Sequence, residues 1–452
     1  MKFAARPRLR HRGDVFALLL LFCAPAIACA QGAGHATSAP ASGSSTLDTE
    51  IKEFRIDALE ARLAKMPAGA ERDYAAGVLA NRAGNIEESI QLLERAIPQI
   101  RKTQARRTAI ALECMADDFT KIYRYADAAK AFDDLLAHYA RELAPADLQN
   151  DRDNSGVVHL LKAAPSQTIS LNGPVRLKTQ RDATGDLDTD LTVNGVSEHW
   201  LLDTGANMSV VTVSFAKRLG VRPLPGYGQT SSGVTGIENR LQVAVLPELK
   251  FGSAVVHNVV LLILADKNLN VGTENGNYQI DAVLGYPVLQ ALGAVTFSQD
   301  GMLEAGPGAA PPGVAARMFM DGLTPMIECG VNGKNLLFDL DTGANTSMFT
   351  VRFFRKFRAQ SASWKKGEDK GFGAGGIMVR KVYVVLALEL RVGDKIATLH
   401  SIPIFTSAIG TDIDDSYGNL GQDVLAGFES FTLDFAHMRF SLGKPVPAAS
   451  KP

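Results

Sequence analysis

Two stretches, residues 201–211 (LLDTGANMSVV) and residues 339–349 (DLDTGANTSMF), decide the fold of this chain. In each, an Asp-Thr-Gly-Ala-Asn motif lies between apolar runs, which predicts that its carboxylate, Asp203 or Asp341, follows a buried strand. A single Asp-Thr-Gly is a common turn sequence. Two copies in register instead predict a pair of carboxylates that shares one proton and activates water.

The similarity between the two stretches extends beyond the motif. At the same spacing of 138 residues, Val193-Asn194-Gly195 matches Val331-Asn332-Gly333, and further on Leu284-Gly285 matches Leu420-Gly421 at a spacing of 136. A drifting offset is typical of one scaffold with loops of unequal length. The sequence therefore predicts two versions of one β-rich unit, over residues 165–304 and 317–446, joined by an Ala/Pro/Gly-rich linker over 305–316.

At these residues the chain resembles the aspartic proteases. Asp-Thr-Gly-Ala followed about eighty residues later by apolar-apolar-Gly is similar to retropepsins, and duplication within one chain is similar to pepsin. The resemblance implies a mainly β, bilobal acid-protease fold of two retropepsin-like β-barrel lobes, with Asp203 and Asp341 as the catalytic pair. It also implies that Thr204 and Thr342 brace the two loops through hydroxyl-to-backbone hydrogen bonds. Gly205 and Gly343 would let the carboxylates meet.

The function implied is that of an aspartic endopeptidase, a hydrolase in which two aspartates activate water. Two carboxylates held close together titrate as a unit, and the reaction needs neither cofactor nor metal. The sequence contains no His-Glu-x-x-His zinc pattern and no Gly-x-Ser-x-Gly elbow. The alternative is a catalytically silent peptide-binding or scaffold protein on the same fold. Since the chain supplies both aspartates, we expect a monomer.

A Gly-rich segment follows each motif, over residues 226–236 and 367–376. Both segments read as hairpin tips, and the resemblance implies two flaps that close over an extended peptide. Ordinary hairpin loops are the alternative. The candidate substrate-binding residues in these segments are Gly228, Ser231, Ser232, Gly233, Gly373 and Gly375.

Asp339 departs from the family pattern. It lies two residues before Asp341, where the first unit has Leu201, and strand alternation directs it to the same face as the catalytic carboxylate. It could select a basic substrate residue, perturb the aspartate pair, or turn to water through a local twist.

The amino terminus predicts the compartment. Residues 1–30 read as a secretory signal peptide, with a basic start, an apolar run over 15–27 and an Ala28-Cys29-Ala30 cleavage site. A secreted or periplasmic protein with no integral membrane span after cleavage is expected. Processing as a lipoprotein at Cys29 is the minor alternative.

Residues 31–46 are rich in Ala, Gly, Ser and Pro and read as a flexible linker. Residues 47–150 read as an α-helical module, because apolar positions recur at helical spacing and repeat with an offset of 39, as in degenerate tetratricopeptide (TPR-like) hairpins. The module would either bind a protein partner or serve as a prodomain or packing unit. A net charge of −1 argues against nucleic acid as a partner. Cys114 and Cys329 are either buried thiols or an interdomain disulfide.

Overall fold

The computed structural model of the chain describes residues 46–231, 237–273, 276–306, 314–373, 376–408 and 412–446. The predicted signal peptide lies outside these residues. The helices of the amino-terminal module are α1 (Leu47–Lys52), α2 (Ile56–Leu63), α3 (Ala70–Arg82), α4 (Ile86–Ile100), α5 (Ala105–Lys121), α6 (Tyr125–His138) and α7 (Pro145–Leu160). None of the helices in the described part of the chain combines the length and apolar character needed to cross a membrane.

The helical module contains two similar hairpins, α3 with α4 and α5 with α6. Gly84 and Tyr123, which are 39 residues apart, both have positive φ in the turn of their hairpin, at 75° and 62°. The next residue closes each turn in the same way, since Asn85 donates to the Ala80 carbonyl at 2.9 Å and Arg124 to the Phe119 carbonyl at 2.8 Å. The 39-residue repeat is therefore present in the backbone. Its assignment to tetratricopeptide repeats stays a prediction.

The boundary of the module lies later than the sequence suggests. Helix α7 continues to Leu160, ten residues past the predicted end at residue 150. Val157 and Val158 are buried and belong to the core that the module shares with the first lobe, so packing extends the helix.

The first lobe follows the module and is built mainly from antiparallel strands. Its elements are β1 (Thr168–Leu171), β2 (Val175–Arg181), β3 (Leu187–Val193), β4 (Val196–Leu202), β5 (Ser209–Thr212), α8 (Val213–Arg218), β6 (Gly228–Ser231), β7 (Glu238–Phe251), β8 (Ala254–Leu264), β9 (Asn270–Thr273), β10 (Gly276–Gln279), β11 (Ala282–Leu284), α9 (Tyr286–Ala291), β12 (Ala294–Ser298) and β13 (Met302–Ala305).

The second lobe repeats this order with fewer elements. They are β14 (Ala316–Asp321), β15 (Thr324–Val331), β16 (Lys334–Leu340), β17 (Met348–Phe349), α10 (Val351–Lys356), β18 (Lys365–Gly373), β19 (Gly376–Val392), β20 (Lys395–Phe405), β21 (Gly418–Leu420), α11 (Gln422–Leu425), β22 (Ser430–Asp434) and β23 (Arg439–Leu442). Residues 307–313 of the predicted linker lie outside the described part of the chain. The fold is thus the mainly β, bilobal class predicted from the sequence, with helices before it.

The Asn-Gly pairs that reveal the repeat form equivalent tight turns. Asn194 and Gly195 join β3 to β4 with φ of 49° and 81°, and Asn332 and Gly333 join β15 to β16 with φ of 48° and 73°. Two consecutive positive φ values define the type I′ turn, whose twist matches that of the strands it joins.

One antiparallel sheet joins the lobes. Its strand order is β2, β13, β12, β22, β23, β14, so each lobe contributes three strands. At its centre Thr296 pairs with Thr432, and their hydroxyl oxygens lie 2.9 Å apart. The stacked rings of Phe297 and Phe431, with centroids 4.8 Å apart, flank this point. The pseudo-two-fold axis that relates the lobes therefore passes between the two threonines.

The helical module packs on both lobes. Gln167, just after α7, donates to the Pro287 carbonyl of α9 at 3.0 Å and to the Tyr123 hydroxyl at 2.8 Å. On the second lobe Arg317 pairs with Asp57 of α2 at 2.7 Å. These contacts hold the module across the face where the lobes meet.

Candidate active site

Equivalent strand pairs place the two aspartates. Strand β4 runs parallel to β11, and the Asp203 amide, one residue past β4, donates to the Leu284 carbonyl at 3.0 Å. Strand β16 runs parallel to β21 in the second lobe, and the Asp341 amide donates to the Leu420 carbonyl at 3.0 Å. The apolar-apolar-Gly segments found in the sequence are thus the strands that fix the positions of the aspartates.

The two threonines brace the loops as the resemblance implies. Each hydroxyl accepts from the backbone N–H of the other threonine, at 3.0 Å for Thr204 N and 3.1 Å for Thr342 N. Each also donates to a carbonyl of the opposite lobe, Leu340 or Leu202, at 2.7 Å. All four bonds are buried and cross the pseudo-two-fold axis, so the separation of the loops is set by a closed hydrogen-bond network.

The glycines of the motifs allow the carboxylates to approach. A Cβ atom on Gly205 would lie 2.8 Å from Cγ of Asp341, and one on Gly343 would lie 2.5 Å from Cγ of Asp203. Each carboxyl group therefore lies directly against the opposite loop. Each also accepts a hydrogen bond at 2.8 Å from the N–H of the glycine in its own motif, Gly205 or Gly343.

The aspartates are 0% and 1% exposed, so neither charge is solvated by bulk water. Burial, together with the charge of Asp341, holds the pKa of Asp203 well above its usual range. Burial also raises the pKa of Asp341, and its hydrogen bond with Asp203 opposes that rise. The two carboxyl groups therefore titrate as a coupled unit, and they do so in unequal surroundings.

Asn419 explains this asymmetry. Its side-chain amide donates to Oδ2 of Asp341 at 3.0 Å and so stabilises the ionised form of that aspartate. The equivalent residue of the first lobe is Val283, and no side chain outside the pair donates a hydrogen bond to Oδ2 of Asp203 in the described part of the chain. The sequence analysis missed Asn419. Comparison of Val283 with Asn419, one residue before the matched Leu-Gly pairs, would have revealed it.

Asp339 does not turn to water. It is 4% exposed on β16, and its carboxylate accepts a hydrogen bond from the Ser416 hydroxyl at 2.8 Å. Burial holds its pKa well above the usual range, and the Ser416 bond opposes that shift. The third possibility considered from the sequence, a twist toward solvent, is therefore wrong. The side chain lines a cavity between the second lobe and the helical module.

The flap segments form hairpins in both lobes. Strand β6 pairs with β7, with Gly228 opposite Leu241 and Ser231 opposite Glu238, so these two residues belong to a strand and not to the tip. Strand β18 pairs with β19 up to Gly373. Ser232, Gly233 and Gly375 lie outside the described residues.

Helix α7 lies directly against the first flap. A Cβ atom on Gly226 would lie 2.7 Å from a methyl group of Leu160, and one on Gly228 would lie 3.4 Å from a methyl group of Val157. The helical module therefore contacts a segment that the resemblance implies is moved by substrate.

Neither remaining chemistry considered from the sequence is supported. Cys114 and Cys329 are free, buried thiols, which excludes the interdomain disulfide. The described residues contain no cluster of three or more His, Cys, Asp or Glu side chains suited to hold a metal ion.

Two comparisons with known proteins match part of the chain. The family model described as aspartyl protease matches residues 189–288, which include Asp203 and the strand pair that positions it. No curated protein matches the chain. Among solved structures, a retropepsin-like aspartic protease from Rickettsia conorii is 19% identical over 31% of this chain and 92% of its own, with a TM-score of 0.21. The family match agrees with the resemblance seen in the sequence: residues 189–288 of this chain are similar to the aspartyl proteases.

Proposed function

We propose that the chain is a single-chain aspartic endopeptidase. One observation carries this proposal: two buried carboxyl groups from different lobes face each other across a loop pair that four reciprocal threonine hydrogen bonds hold in place. A turn motif kept only for structure would not need two buried acids in contact, since burying them costs free energy.

The mechanism follows from the position of the shared proton. Ionised Asp341, stabilised by Asn419, takes a proton from a water molecule between the two carboxyl groups, and the water attacks the scissile carbonyl. Protonated Asp203 donates a hydrogen bond to the carbonyl oxygen as it becomes negative. The product is a tetrahedral intermediate formed without an acyl-enzyme, and the proton taken by Asp341 then passes to the leaving amine.

The substrate would be an extended peptide. The flap strands β6 and β18 belong to hairpins, and an extended peptide can add to their backbone as a further strand. Among the described residues, β6 is paired with β7 and β18 with β19, each along one edge, so the opposite edge offers backbone groups to a peptide.

One observation favours the second candidate, a peptide-binding or scaffold protein without turnover. Helix α7 packs on the first flap, and the aspartates are fully buried. If the module never releases the flap, the dyad cannot reach a substrate. The same contact is also expected in an enzyme whose helical segment must move or be removed before substrate enters, so activity decides between the two.

The test uses the purified chain without its leader and a diverse peptide library, with cleavage products identified by mass spectrometry. Asp203→Asn and Asp341→Asn should each lower turnover by at least about a hundredfold, because each removes one half of the acid–base pair. Asp190→Asn, an exposed carboxylate of β3, is the matched control and should keep wild-type activity. If either aspartate variant cleaves the library as well as the wild type does, the proposal is contradicted. If neither the wild type nor any variant cleaves it, a peptide-binding or scaffold protein without turnover is favoured.

We further propose that the leader directs the chain to a secreted or periplasmic location and that the mature chain acts as a monomer. The threonine network already joins two lobes of one chain, so no second copy is needed to complete the dyad. Specific activity should then be independent of protein concentration, and a rise on concentrating the enzyme would contradict the monomer.

A further inference from the structure

A cavity of about 380 Å³ lies between the helical module and the lobes. Its walls include side chains of α1, α3, α5 and α7 on one side and of both lobes on the other. At the lobes the cavity reaches residues near both aspartates in the chain, because Asn207 ends the first motif, Met208 follows it, and Asp339 precedes Asp341 by two residues. A group bound in this cavity would therefore contact residues that flank both aspartates in the chain.

The charge of the cavity wall is strongly one-sided. Seven carboxyl side chains line it against three basic ones. The helical module supplies Glu113, Asp117, Asp147 and Asp151, and the lobes supply the others, Asp339 among them. One of the basic side chains, Arg82, stacks on Phe54, with its guanidinium carbon 3.6 Å from the ring centre, and its charge acts on Asp321, one of the carboxyl groups of the second lobe.

Asp151 is a buried carboxyl group of the cavity wall with an oxygen that is unpaired among the described residues. It is 2% exposed, and its Oδ2 has no hydrogen-bond partner in the described part of the chain. Burial, followed by the charge of Asp117, holds its pKa well above the usual range. A buried carboxylate without a partner destabilises the fold, and a cation that enters the cavity would offset that cost.

The neighbouring acids respond in the same way. Burial raises the pKa of Asp117 to about 7, and burial together with the charge of Asp151 holds that of Glu113 well above its usual range. The empty cavity therefore retains protons near neutral pH. A cationic group would displace them, so its binding should release protons to the buffer.

We propose that this cavity binds the positively charged side chain of an arginine or lysine residue of the peptide substrate, with Asp151 of the module and Asp339 of the second lobe as its carboxylate partners. The inference rests on the proposed endopeptidase function and names its substrate class. It gives the helical module a role in specificity, since four of the seven carboxylates come from the module.

Binding is measured on the Asp203→Asn chain, so that the probe is not consumed. The probe is N-acetyl-arginine N-methylamide, and N-acetyl-citrulline N-methylamide is its neutral isostere, both titrated by calorimetry in two buffers of different ionisation enthalpy. We expect saturable binding of the arginine compound with proton release and at least about tenfold weaker binding of the citrulline compound. Asp151→Asn should reduce the affinity for arginine by about tenfold or more.

The matched control is Asp153→Asn. Asp153 is buried on the same helix but does not line the cavity, because residues two apart lie on different helix faces. This variant should bind arginine as the parent does. Asp339→Asn, from the opposite wall, provides the second test if Asp151→Asn does not fold.

Equal affinity for arginine and citrulline, or unchanged affinity in both Asp151→Asn and Asp339→Asn, would overturn the inference. Because binding is measured without turnover, its failure is separate from that of the proposed function. If the chain cleaves peptides regardless of their charge, only the inference about the cavity is wrong. If the chain binds arginine and cleaves no peptide, the proposed endopeptidase function is wrong.

Discussion

Three positions beside the dyad are apolar in the first lobe and polar in the second. The matched pairs are Leu201 and Asp339, Val283 and Asn419, and Ile280 and Ser416. The strands that carry the first two pairs have the same parallel register, so the backbone is equivalent while the side chains are not. A duplicated scaffold can therefore give its two aspartates different environments without any change of fold.

These differences favour different protonation states for the two aspartates. An amide donor beside Asp341 favours its charge, and an apolar neighbour beside Asp203 favours its proton. In a dyad of two identical lobes the proton would be placed equally on both aspartates. In the proposed mechanism, these side chains therefore make Asp341 of the second lobe the base and Asp203 of the first lobe the acid.

The largest effect is expected at a feature that the two lobes share, the glycine of each motif. Gly205→Ala and Gly343→Ala should each lower peptide turnover by at least about a hundredfold, because the new methyl group would lie 2.8 Å or 2.5 Å from the opposite carboxyl carbon and separate the pair. Gly156→Ala in α7 is the control, since no atom lies within 4 Å of its added Cβ. A Gly343→Ala enzyme with normal turnover would show that close contact of the carboxyl groups is not required.

The second prediction exchanges the residue that makes the lobes unequal. Asn419→Val removes the amide donor and should raise the pKa of Asp341 further, so that the active singly protonated dyad forms at higher pH. We expect the acid limb of kcat/KM to move up by about 1–2 pH units, the scale of one hydrogen bond to a charged group.

The reciprocal variant is Val283→Asn, which would offer a donor to Asp203. It should lower the pKa of Asp203 and narrow the difference between the two carboxyl groups. If the acid limb of kcat/KM lies at the same pH in the wild type and in Asn419→Val, the assignment of Asp341 as base and Asp203 as acid is wrong. The aspartate pair itself would not be contradicted.

The third prediction concerns stability. The folded-state pKa of Asp339 is raised, so the folded chain holds this proton at pH values where the unfolded chain has lost it. Burial of Asp339 does not destabilise the fold below about pH 4, the pKa of this carboxyl group in the unfolded chain. The destabilisation grows as the pH rises toward the pKa in the folded chain. Asp339→Leu, which installs the residue of the first lobe, should therefore raise the free energy of unfolding by about 1–3 kcal/mol at pH 8 and by much less at pH 4.

Urea unfolding at the two pH values measures this difference. Ser416 keeps an acceptor in the variant, because its hydroxyl also donates to the Gly418 carbonyl at 3.1 Å. The opposite substitution, Leu201→Asp, buries a carboxylate in the apolar lobe and should destabilise the fold at pH 8. A gain in Asp339→Leu that is equal at both pH values would mean that packing, and not charge, accounts for it.

The sequence predicts those features that one short motif and its repeat determine. The positions of Asp203 and Asp341 and the threonine brace follow from residue types whose local geometry is narrowly defined, and the structure contains them. The mainly β, bilobal fold is confirmed, and residues 189–288 match the aspartyl protease family. The predicted location, the tetratricopeptide assignment and catalytic activity itself remain predictions.

Contacts between distant parts of the chain were not predictable in the same way. The bond from Ser416 to Asp339 and the packing of Val157 against Gly228 join elements with no shared motif. The cavity around Asp151 forms only because a helical module packs on the lobes, and periodicity shows that a helix has a buried face without showing what covers it.

The smallest expected effect lies on the axis itself, where the lobes are symmetric. Thr296→Val and Thr432→Val each remove the same hydroxyl-to-hydroxyl bond in the sheet that joins the lobes, so each should destabilise the chain by about 1 kcal/mol. The double variant removes both polar groups and leaves no buried hydroxyl without a partner. The double variant should therefore lose less free energy of unfolding than the two single variants lose in sum. A double-mutant cycle of urea unfolding measures this difference. Additive losses, or a loss from only one of the two threonines, would show that the lobes are unequal at the axis as well as beside the dyad.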